Sequence, residues 1–134
     1  VKTLTLKNNS VVVNRHFISG SNYTFKHMKT LNPVFSGKIM YEYSYVFPLR
    51  DMKTRKIDSY EGMLYPKSIS SAIKEDFNEY IDTELDYKLD SFEEELSFVE
   101  VSESKFLLPL NPRCFKIFKV QVVYTFNCKG EKYA

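Results

Sequence analysis

Tryptophan is absent from this chain, and glycine, cysteine and histidine are scarce: four, two and two among 134 residues. The glycines stand apart at 20, 37, 62 and 130, so no Gly-rich loop can cradle a phosphate. Neither a GxSxG elbow nor an HExxH helix occurs. No run approaches the roughly 18 apolar residues that cross a membrane as a helix. The first twenty residues lack the apolar stretch and small-residue cleavage site of a secretory leader. These absences lead to the expectation of a soluble, non-enzymatic protein with no cofactor, metal or membrane partner, intracellular or carried in a virion.

The rare reactive residues fit that expectation. His16 and His27 stand in strand-like or loop contexts without a nearby nucleophile pattern. Cys114 and Cys128 match no metal spacing. On one continuous strand they would share a side but lie roughly 48 Å apart, at about 3.4 Å per residue. A disulfide needs Cα atoms within about 7 Å. Two reduced, buried thiols are therefore expected, which suits an intracellular setting. The run Glu93-Glu94-Glu95 offers hard oxygen ligands. It lacks the spaced Asp/Asn and turn glycine of a calcium loop, and so reads as a solvated charge run.

What the chain does have is aromatic bulk: 11 Phe and 10 Tyr. Aromatic side chains suit a pleated, half-buried surface, and this richness excludes a disordered chain. The length and an apolar share of 43% fit one domain over 1–134.

Short strands are predicted near the start, at Lys2–Lys7 and Val11-Val12-Val13, with turns at Asn8-Asn9-Ser10 and Ser19-Gly20-Ser21-Asn22. Residues 29–38 read as a loop. In Lys38–Pro48 the side chains of Ile39, Tyr41, Tyr43, Tyr45 and Phe47 share one face at period two. A charged tip, 49–55, is expected to lead into a returning partner strand, Lys56–Tyr65, ended by Pro66.

Ser68 then resembles a helix N-cap, and Ile69, Ile73, Phe77, Tyr80, Ile81 and Leu85 recur at helical spacing. Leu85, Leu89, Phe92 and Leu96 continue at intervals of four, three and four, predicting a second helix after a break near Asp86. Strands resume at Leu96–Ser102 and Phe106–Leu110. Cys114–Cys128 reads as a central strand, apolar on one face and partly so on the other. The fold class is α+β: a mostly antiparallel sheet, barrel- or sandwich-like, packed by one helical segment at about 68–97.

Charge is unevenly spread. Residues 75–104 hold 12 of the 17 acids and one base, a net −11, while the rest of the chain carries +13. On this reading the acids form a helix face, with Glu75, Asp76, Glu79, Asp82 and Glu84 lying between the apolar stripe residues. Two complementary patches on one chain suit head-to-tail association. The preferred expectation is a self-associating structural subunit whose partners are copies of itself or other subunits. The Lys/Asn/Tyr/Phe-rich composition extends this to a component of a viral or phage particle: a ring, tube or connector. Its interface candidates are Arg50, Lys53, Arg55 and Lys56 at the hairpin tip, and Glu93, Glu94 and Glu95 in the acidic block. The alternative is an OB-like module for single-stranded nucleic acid, with Tyr41, Tyr43 and Tyr45 as stacking platforms beside the basic tip. A more distant alternative is an inhibitor whose acidic helix imitates phosphates.

Overall fold

The computed structural model describes residues 2–5, 11–23, 34–48, 61–101 and 115–131. The elements run β1 (Lys2–Thr5), β2 (Val12–Tyr23), β3 (Val34–Pro48), α1 (Glu61–Leu64), α2 (Lys67–Glu79), a π-helical turn (Tyr80–Glu84), β4 (Tyr87–Glu100) and β5 (Phe115–Glu131). All strand pairs are antiparallel, in the order β1-β2-β3-β5-β4. The fold is α+β, with the helical segment packed on one face of the sheet. Among the described residues β1 and β4 each pair with one neighbour, so the sheet is open rather than closed into a barrel.

Period-two patterning decides which residues enter the core. Ile39, Tyr41 and Tyr43 of β3 and Phe118, Val120, Val122, Tyr124, Phe126 and Cys128 of β5 are buried on the helix-covered face. Ile69, Ile73, Phe77 and Ile81 meet them from above, as the helical stripe requires. Phe77 stacks on Tyr124, with ring centroids 4.4 Å apart. Strand β5 is central, as its apolar runs predict, lying between β3 and β4.

Several boundaries differ from expectation, each for a physical reason. The turn read at Ser19–Asn22 and the end of the loop at Ser36–Gly37 are strand. Gly20 pairs with Gly37, and the two lie under aromatic rings rather than reversing the chain. A Cβ on Gly37 would fall 2.8 Å from the Phe126 ring and from the Ser19 carbonyl oxygen, so the close approach requires glycine. Of the partner strand expected at Lys56–Tyr65, residues 56–60 lie outside the described residues, and no strand occurs at 61–65. Glu61–Leu64 is a short helix instead, tied down where the Tyr43 hydroxyl donates to the Leu64 carbonyl. Helix α2 begins one residue before Ser68. Pro66 stands at its cap, and the Pro66 carbonyl accepts from the Ile69 and Ser70 amides.

The largest correction concerns 87–97, which is strand rather than helix. The helix closes with an i→i+5 bond from the Leu85 amide to the Tyr80 carbonyl, and Asp86 adopts φ 56°, a left-handed conformation that ends it. In β4, Tyr87 and Leu89 face the core, register irregularities follow, and then Phe92, Glu94, Leu96 and Phe98 face it. An extra residue between Leu89 and Phe92 turns a period of two into spacings of three and four. That bulge imitates a helical repeat.

Candidate interaction surface

Of the residues expected to form a site, Arg50, Lys53, Arg55 and Lys56 lie outside the described residues. Tyr41 and Tyr43 do not form a stacking platform. They are 0% and 2% exposed beneath the helices, with their hydroxyls donating to Asp76 and to the Leu64 carbonyl. Tyr45 is half-buried against the same core. Period-two aromatics on a central strand meet the helix layer, and burial leaves no ring face for a base.

The acids are not one helix face either. Asp76 is buried, accepting from Arg15 at 2.9 Å and from the Tyr41 hydroxyl at 2.6 Å. Arg15 also reaches Glu84 at 3.3 Å and lies 4.0 Å from the Tyr80 ring centroid. Burial disfavours the Arg15 charge, but Asp76, Tyr41 and Glu84 outweigh it and hold the guanidinium above its ordinary pKa. Burial first, then the bond to Asp76, pushes the Tyr41 phenol well up. Sequence reasoning missed this cluster, although a signal was present: Arg15 shares parity with Val11 and Val13, and Asp76 sits three residues after Ile73 within the stripe. The cluster locks helix to sheet. It lines neither of two surface cavities, of about 520 Å³ beside Val11–Val12 and Tyr43–Val46 and about 270 Å³ over Gly37.

Glu93, Glu94 and Glu95 occupy edge strand β4, and the pleat splits them. Glu94 points to the helix-covered face, where the Tyr124 hydroxyl donates to it at 2.6 Å. Tyr65 lies beside this pair with its hydroxyl oxygen buried next to the Tyr124 hydroxyl. Burial raises the Tyr65 phenol to about 12. Glu93 and Glu95 stand opposite Thr125 and Val123 on the other face, and both are exposed.

That second face is open over much of its length among the described residues, although Ile117 on it is buried. It carries a polar ladder. Glu42 accepts from Gln121 at 2.9 Å and pairs with Lys119 at 3.1 Å, while Asn127 links Ser36 and Ser91. Burial raises the Glu42 carboxyl, but the bonds from Gln121 and Lys119 outweigh it and hold it below the usual carboxylate range. Val12, Val46 and Val99 are also exposed there, and Ile18 is exposed at the bulge between Phe17 and Ser19. Cys128 lies on the covered face, buried as expected, with its thiol raised to about 11 by burial and then by Asp90. Cys114 lies outside the described residues. Among the described residues no group of His, Cys, Asp and Glu side chains is arranged to hold a metal ion, and no helix is long and apolar enough to cross a membrane.

Among the described residues the arrangement comprises a long acidic edge, a largely uncovered sheet face and a buried ionic cluster. No family model, curated protein or solved structure matches this chain.

Proposed function

We propose that the chain is a non-enzymatic, self-associating structural subunit of the kind that builds rings, tubes or viral and phage particles. The observation that carries this reading is β4. It is a 14-residue edge strand bearing five carboxylates and one lysine, beside a sheet face largely uncovered among the described residues. A long edge presents unpaired backbone groups that another chain can extend, and charge on it selects which chain. The exposed Val12, Ile18, Val46 and Val99 add apolar area that a neighbour would cover.

Light scattering across a concentration series at low salt tests the reading, with and without a labelled single-stranded oligonucleotide. The expected result is a mass that rises with concentration and weak or absent oligonucleotide binding. A single-chain mass throughout would overturn the reading. So would tight, salt-sensitive oligonucleotide binding that disappears when Arg50, Lys53, Arg55 and Lys56 are neutralised.

A further inference from the structure

Two edges close the sheet, and they differ in charge and in backbone presentation. The Val101 amide donates to the Ile117 carbonyl. In an antiparallel ladder the bonded pairs alternate, so Val99, Ser97, Glu95 and Glu93 also turn their backbone groups towards β5. Phe92, Glu94, Leu96, Phe98 and Glu100 consequently turn theirs outward, a row of donors and acceptors with no strand beside it among the described residues. At the opposite edge, β1 covers β2 over four residues. Strand β1 carries Lys2 and no acid, the first carboxylate of the chain being Glu42, while Arg15 of β2 is buried against Asp76 and Glu84.

Strand direction fixes how such edges can meet. Five strands alternating in direction leave β1 and β4 running the same way. A rotation about an axis along the strands therefore places β4 of one copy parallel to β1 of the next. The alternative, β4 against β4 about a two-fold axis, sets acidic strands side by side, and like charges directly opposite are destabilising.

Resting on the self-association reading above, we propose that copies join head to tail. The acidic β4 edge of one extends its sheet onto the acid-free β1 edge of the next, which carries Lys2, giving a heterologous contact that closes into a ring or runs on as a filament. Four paired residues make a short seam, and parallel pairing is slightly the weaker kind. Charge attraction is therefore required to hold it, and the contact loosens with salt.

Single-cysteine variants in a Cys114→Ser background decide the geometry, the native Cys128 thiol being buried. Thr3→Cys is mixed in turn with Ser91→Cys, Glu95→Cys and Val99→Cys at low salt and treated with a short bis-maleimide. The expected result is a cross-link between Thr3→Cys and at least one β4 variant, with little linking of a variant to itself. The double reversal Glu93→Lys, Glu95→Lys should weaken association at least tenfold while leaving the circular dichroism spectrum unchanged. Assemblies that link Glu95→Cys only to itself, or that give no mixed product, would overturn the edge-to-edge join and leave self-association standing. A wild-type chain with a single-chain mass would overturn both.

Discussion

Arg15 and Asp76 show how much can rest on two residues. Their side chains are 8% and 4% exposed, so neither charge has water to fall back on. Replacing Arg15 by Met strands the Asp76 carboxylate, and breaking a buried pair in this way costs about 3–5 kcal/mol. The double replacement Arg15→Met, Asp76→Leu should recover most of that loss in urea unfolding, because no buried charge is then left alone. A neutral single variant would show the pair to be solvated. Phe77 sits on the same helix and stacks on Tyr124. Phe77→Ala should cost about 3–5 kcal/mol, as the loss of a fully buried ring does, and an unchanged thermal melt would contradict its burial. Phe77 was legible in the sequence because apolar spacing reports burial. The ion pair was not, since the pattern that marks a charge as solvated does not reveal a partner 61 residues away.

Elements were legible where their period was unbroken. The stripe from Ile69 to Leu85 and the alternation of β3 and β5 follow directly from side-chain geometry. Strand β4 misled because its bulge inserts one residue, and an odd step within a period of two imitates a helix. The stop between the two elements is Asp86 at φ 56°. Asp tolerates that conformation better than most residues, and a β-branched residue hardly at all. Asp86→Gly should therefore hold or raise stability, whereas Asp86→Val should lose at least about 1–2 kcal/mol, the cost of the left-handed region. Equal melting temperatures for the two variants would argue against the helix ending there. Most of the hairpin expected after β3, its tip at 49–55 and the start of its partner strand at Lys56, lies outside the described residues, and its described end, Glu61–Leu64, is helix.

At the scale of the molecule, one layer of helix covers one face of the sheet, and the tyrosines lie beneath it. Burial is the first cause raising Tyr41, Tyr43 and Tyr124 far above their ordinary value, and it brings Tyr65 to about 12. A phenol ordinarily ionises near pH 10. Above that pH the unfolded chain releases these protons while the folded chain keeps them, so stability falls as pH rises. Absorbance titration should find only part of the 10 tyrosines ionising near the ordinary value. The remainder should ionise together with unfolding, and a single titration of all ten in the folded protein would contradict the buried layer. The candidate surface was only half legible. The acidity of 93–95 was plain, but its division between two faces required knowing that the segment is a strand.

Hydrogen exchange along β4, read residue by residue at low salt, distinguishes a free edge from one that a second copy covers. In dilute protein the amides of Phe92, Glu94, Leu96 and Phe98 should exchange quickly, and those of Glu93, Glu95, Ser97 and Val99 slowly. At high concentration the fast set should become protected. Raising salt to about 1 M, where the Debye length falls to about 3 Å, should release it again. Uniform protection along 92–99 in dilute protein, or a fast set unmoved by concentration, would contradict the account.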